Sequence, residues 1–113
     1  MDDLVQFLHA RLNEDEQTAR AAHAPNWSTD GRRGLHYGVE DGWMTDALTA
    51  ADADHIARHD PARTLREIDA KRRMIDDLWG GPDHEDMWSH HMRLLALPYA
   101  NHPDYRPKWR PAH

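Results

Sequence analysis

DPARTLREIDAKRRMIDDLWGGP, residues 60–82, holds the clearest boundary signals in the chain. Asp60 stands where a helix N-cap belongs. Pro61 stands at the first helical position, where its missing N–H costs nothing. Leu65, Ile68, Ile75 and Trp79 then recur along one face, and Gly80-Gly81-Pro82 ends the run, so the spacing predicts a helix over 61–79. Arg72 falls on the apolar stripe, where its stem can pack while its head reaches water.

Working back from that helix, Thr49 with Asp52 three residues on marks a second N-cap, for a short helix over 50–58 through Ala53 and Ile56. Before it, Leu35, Tyr37 and Val39 alternate with His36, Gly38 and Glu40, and Trp43-Met44-Thr45-Asp46-Ala47 follows after Asp41-Gly42. An Asp-Gly pair between two extended runs is a hairpin signal, because both turn positions need positive φ. The region 26–48 therefore predicts a small antiparallel hairpin, with room for a third strand around Trp27.

The first segment predicts a helix over 3–22. Asp3 caps it, Gln6 completes a capping box, and Val5, Leu8, Leu12, Ala19 and Ala22 share the inner face. His23-Ala24-Pro25 ends it, because a residue before proline avoids the helical region. At the other end, a helix over 84–97 starts at Asp83, places Met87, His91, Leu94 and Leu95 inward and closes at Pro98. The tail over 98–113 carries Pro103, Pro107 and Pro111 with Tyr99, Tyr105 and Trp109, a composition that packs back on a body more readily than it stays disordered. The resulting fold class is α+β, predominantly helical, with about four helices, in one domain over residues 1–113.

Composition narrows the function classes. The chain has 113 residues, no cysteine and a formal net charge of −6. A disulfide framework, a thiolate metal site and a thiol nucleophile are thereby excluded. Residues 1–60 hold five Lys and Arg against twelve Asp and Glu, whereas residues 61–113 hold nine against eight. An acidic front half argues against general binding to nucleic acid. The N-terminus has no signal-peptide pattern, and no apolar run approaches a membrane span, so the expected location is cytoplasmic, away from membranes.

Several stretches together resemble an uncharacterised family of small proteins from actinomycetes and their phages. They are LVQFLHARLNEDEQTAR at residues 4–20, DADHIARHDPARTLREIDAKRRMID at 52–76 and RLLALPYANHPDYRPKW at 93–109. The resemblance implies an accessory role in such a bacterium or phage. It carries over no activity, cofactor or catalytic residue.

Ten histidines make the chain His-rich and invite a divalent-metal reading. His55 and His59, spaced i and i+4, share a helix face, and His84, His90 and His91 form a second group with Glu85 and Asp86. A metal needs three or four converging ligands, and no HEXXH pattern supplies a metalloprotease core. The same histidines read equally as solvated or helix-capping side chains. Arg58, Arg63, Arg66, Lys71, Arg72 and Arg73 are the one basic concentration, but Glu67, Asp69, Asp76 and Asp77 interleave with it. Ser28 and Ser89 are the only serines, and neither has triad spacing.

The reading is thus a non-catalytic protein-interaction or regulatory accessory, with Arg58, Arg63, Arg66, Arg73, Tyr105 and Trp109 as the candidate surface. A small His-dependent metalloprotein or metalloenzyme is the alternative. A weaker one is nucleic-acid binding along the Arg58–Arg73 helix. An unidentified protein is the expected partner. The helical stripes exceed what so small a core covers, which also admits a homodimer.

Overall fold

A computed structural model describes residues 2–38, 42–78 and 85–111. Among these residues the protein is α+β and predominantly helical. Four helices, α1 (Asp2–Ala21), α2 (Ala50–Arg58), α3 (Pro61–Leu78) and α4 (Glu85–Ala96), accompany three strands, β1 (Ser28–Thr29), β2 (Gly34–His36) and β3 (Trp43–Asp46). Contacts divide the chain into two compact units, Met1–Glu14 with Asp69–His113, and Asp15–Ile68. No helix among the described residues is long and apolar enough to cross a membrane.

The second unit, Asp15–Ile68, holds the sheet. Its strands run in the order β1-β2-β3, both pairs antiparallel, with a bulge between Leu35 and His36. A third strand beside Trp27 is therefore present, as Ser28–Thr29. Asp41 lies outside the described residues. Gly42 beside it has φ +86°, a conformation that favours glycine, and its carbonyl accepts from the Tyr37 N–H at 2.8 Å. The β1–β2 connection turns on Asp30, whose Oδ1 accepts from the N–H groups of Arg32 at 2.8 Å and Gly34 at 3.1 Å. The Arg32 N–H chiefly, helped by that of Gly34, lowers the Asp30 pKa from its ordinary value. A Cβ on Gly34 would meet Asp30 Oδ2 at 2.5 Å, so a larger residue there would push aside the carboxylate that holds this turn. Leu35, Ala53 and Ala57 form the buried cluster, with Met44 and Ala47 packed against it. Ile56, expected inward on α2, is partly exposed instead. The two alanines let the helix backbone approach the strands closely, and that turns the neighbouring Ile56 outward.

Both expected caps operate. Thr49 Oγ1 accepts from the Asp52 N–H at 3.0 Å at the start of α2. Asp60 Oδ1 accepts from the Arg63 N–H at 2.8 Å at the start of α3. Asp60 does more than cap, because its Oδ2 accepts from the Trp27 N–H at 3.2 Å, while the Ala62 N–H donates to the Pro25 carbonyl at 2.9 Å. The segment 25–27 is thus tied to the head of α3.

That tie explains a backbone feature the sequence reading missed. Ala24 avoids the right-handed region before Pro25 by entering the left-handed one, at φ 63°. Hydrogen bonds hold both sides of it, since Trp27 Nε1 donates to the His23 carbonyl at 3.2 Å. A left-handed alanine costs about 1–2 kcal/mol, of which glycine returns about 0.4–1 through a freer unfolded chain. Ala24→Gly is therefore expected to stabilise the protein by about 0.5–1 kcal/mol in urea unfolding. A destabilised variant would show that the turn is unstrained.

The first unit, Met1–Glu14 with Asp69–His113, is built around α1. Leu4, Phe7, Leu8 and Leu12 are buried there, with Ile75 from α3, Trp88, Met92 and Ala96 from α4, and Tyr105 and Trp109 from the tail. Two expectations shift. The inner stripe of α1 includes Leu4 and Phe7, while Val5 is only half-buried. On α4 the buried stripe is Trp88, Met92 and Ala96, whereas Leu94 is exposed and His91 and Leu95 are half-buried. The i, i+4, i+8 line carrying the large Trp88 ring wins over the neighbouring one. The helix begins at Asp2, so Asp3 sits inside the first turn rather than at the cap. Arg72 is half-buried, and its Nη2 donates to Asn13 Oδ1 at 2.7 Å. The tail, expected to hold no helix, forms two 3-10 turns, Leu97–Tyr99 and Pro107–Trp109, each with proline near its start.

Candidate functional site

The candidate site lies on the outer edge of the sheet. In the strand order β1-β2-β3, the third strand has, among the described residues, a partner on one side only. Ala47 N–H donates to the Arg33 carbonyl at 2.7 Å. Alternation along an antiparallel strand then turns the backbone groups of Asp46 away from β2, and the bulge opposite Leu35 and His36 breaks that alternation at Met44. Helix α2 packs mainly on β1 and β2, and Met44 of β3 packs on the cluster that its Ala53 and Ala57 form with Leu35.

The side chains at this edge are unusual for one left open. Met44 packs on the Leu35, Ala53 and Ala57 cluster, so its neighbour Trp43 projects to the other face. Trp43 is 62% exposed, and Leu48, just past the strand end, is 85% exposed. Trp43 Nε1 donates to Asp46 Oδ1 at 3.2 Å, which fixes the orientation of the indole along the strand. Proteins usually protect edges with lysine, proline, a bulge, a short strand or a covering element. β3 is short and carries the bulge opposite Leu35 and His36, and what sets it apart is its exposed Trp43 and the absence of lysine and proline from the strand. An oriented exposed indole beside the outward-turned backbone of Asp46, whose carbonyl accepts from Thr45 Oγ1 at 3.5 Å, is chemically suited to an extended peptide, which would gain main-chain hydrogen bonding and one aromatic anchor.

The residues singled out from sequence are placed as follows. His55 and His59 stack at 4.3 Å between ring centroids, and His59 Nδ1 donates to the His55 carbonyl at 2.7 Å. His90 and His91 meet edge-on at 5.9 Å, and His84 lies outside the described residues. Among the described residues no three His, Asp or Glu side chains gather in a way that could hold a metal. Arg58 pairs with Asp54 at 3.0 Å, Arg63 with Glu67 at 2.9 Å and Arg73 with Asp69 at 3.1 Å, each one helical turn apart, while Arg66 is exposed. Tyr105 and Trp109 are buried within their unit, so any surface the tail presents is made by the residues between them.

The head of α3 leaves no room for an anion. Pro61 has no N–H, and the next three N–H groups donate to Pro25 O, Asp60 Oδ1 and Asp60 O. Trp43 and Leu48 went unrecognised from sequence. The usable signal was strand phase: if Met44 points inward, Trp43 must point out.

Residues 1–111 match the model of the Family of unknown function (DUF6221). The chain belongs to this family. Comparison with curated proteins and with solved structures found no match. DUF6221 membership covers both compact units and every residue of the β3 edge. It brings no assigned activity, so the chemistry of the edge has to be read from the residues themselves.

Proposed function

We propose that this DUF6221 protein is a non-catalytic interaction accessory, in an actinomycete or its phage, that receives an extended segment of a protein partner along β3. The observation that carries this reading is the open β3 edge with Trp43 62% exposed and held by Asp46. Two physical points support it. A strand added to an existing edge gains main-chain hydrogen bonds without remodelling the host sheet. An aromatic already fixed in place loses little conformational entropy on binding. The acidic balance of residues 1–60 favours a partner segment that carries basic residues.

The test uses the full chain, tagged, in nuclease-treated actinomycete lysate, with capture by the wild type compared with Trp43→Ser. Trp43 is mostly exposed, so its replacement is expected to change stability by no more than about 0.5 kcal/mol. A partner captured by the wild type is expected to fall at least tenfold with the variant. Equal capture by both would remove β3 as the docking edge. Stoichiometric metal in the purified protein would favour the alternative in which His55, His59, His90 and His91 are ligands.

A further inference from the structure

We propose that the unit formed by Met1–Glu14 and Asp69–His113 carries a binding site for the phosphate group of a small molecule, held by Arg93 and Lys108. Nothing in it depends on the β3 edge. The site is a cleft of about 180 Å³ lined by Asp3, Leu4, Arg93, Lys108 and Trp109. That volume is far above the ~10–15 Å³ that one water needs.

The chemistry of the lining is lopsided. Leu4 and Trp109 are buried and supply an apolar wall. Arg93 comes from α4 and Lys108 from the Pro107–Trp109 turn, so two separate elements deliver positive charge to one cleft. Among the described residues the one carboxylate lining it, Asp3, is engaged by Arg106 Nη1 at 3.0 Å. Asp3 is thereby neutralised, and two cations are left without a protein counter-charge among the described residues.

The decisive detail is at Arg93. Its Nε is fully buried and has no hydrogen-bond partner. A buried guanidinium N–H left unmade costs free energy, and native proteins rarely tolerate it without a ligand, ion or water to accept it. The Nε–H edge of arginine, with the adjacent Nη–H, is the geometry that receives two oxygens of one phosphate. Lysine adds a compact second charge. Arg93 as a whole is half-buried, so a small rotation of its guanidinium presents this edge to a phosphate in the cleft, which would meet the Nε–H and the charge of Lys108 together.

The experiment titrates the ¹⁵N-labelled full chain with inorganic phosphate at constant ionic strength, following the Arg93 Nε–H and Trp109 indole signals. A saturable shift of both is expected, with acetate at least tenfold weaker. Lys108→Gln, at an exposed position that cannot disturb the core, is expected to weaken phosphate binding at least tenfold, as is Arg93→Lys, which keeps the charge but removes the Nε–H edge. Arg110→Gln, an exposed tail cation outside the cleft, is expected to change nothing. Non-saturating shifts, or equal losses from Arg110→Gln and Lys108→Gln, would overturn the site in favour of diffuse charge attraction.

Discussion

Phe7→Ala is expected to lower the unfolding free energy by about 3–5 kcal/mol, the largest effect of any single substitution considered for this protein. Phe7 is the only phenylalanine in the chain and is 7% exposed. Its ring meets Tyr99 edge-on at 6.3 Å, His102 at 5.6 Å, Tyr105 at 6.0 Å and Trp109 at 5.1 Å. The Arg11 guanidinium stands 5.4 Å from the ring centroid and hydrogen-bonds His102. One ring of α1 thus receives every aromatic residue of the tail. Arg106 closes the attachment, pairing with Asp3 at 3.0 Å and lying 5.5 Å from the Trp109 ring.

Removing Phe7 leaves a cavity that several rigid rings cannot collapse into, which places the loss at the upper end of the usual range. A typical domain has only about 5–15 kcal/mol in total, so hydrogen exchange should show residues 99–110 losing protection first. Phe7→Leu keeps the burial but loses the edge-to-face geometry and is expected to cost about 1–1.5 kcal/mol. A Phe7→Ala loss below about 1.5 kcal/mol in urea unfolding would mean that the tail is held by other contacts.

Asp60→Ala is expected to cost about 1.5–3 kcal/mol, more than an ordinary cap. Loss of the bond to the Arg63 N–H accounts for about 0.5–2 kcal/mol. Loss of the acceptor for the Trp27 N–H adds about 1 kcal/mol, the low end for a group that is only part-buried. Asn retains an oxygen that can cap, so Asp60→Asn should recover most of the loss. The readouts are the urea midpoint and amide exchange at Ala62–Thr64. If Asp60→Ala matched the wild type, segment 25–27 would not be tied to α3 through this carboxylate.

These two residues also mark what the sequence discloses and what it hides. Asp60-Pro61 and Thr49 were legible because a cap is a local rule, written within four residues. The antiparallel pairing of 34–36 with 43–46 was legible because strand alternation is local too, while Asp41 of the Asp-Gly pair lies outside the described residues. The role of Phe7 was not. Its partners lie in a tail about 90 residues away, as with the Arg106–Asp3 pair, whose members are 103 positions apart. Where a helix has two apolar lines, as α4 does, periodicity names a face only to within one position. The structure selects the line with Trp88 because the larger ring fills more of the core.

The candidate edge was half legible. The strand at 43–46 followed from pattern, but its place at the outside of the sheet depends on strand order, which no local signal encodes. Arg93 was wholly hidden. It reads as one more charged residue on a helix, and neither its buried Nε nor the cleft it shares with Lys108 and Trp109 of the tail is written in local sequence.

The central claim is that β3 is a docking edge anchored by Trp43. The most direct measurement is site-specific photo-crosslinking in nuclease-treated actinomycete lysate from a benzophenone-bearing phenylalanine at position 43 of the full chain, which keeps an aromatic ring at the anchor, with position 66 on the exposed face of α3 as the comparison. A single protein crosslinked from 43 and not from 66, through an extended segment mapped by mass spectrometry, is the predicted result. The same proteins crosslinked from both positions, or none from 43, would contradict it.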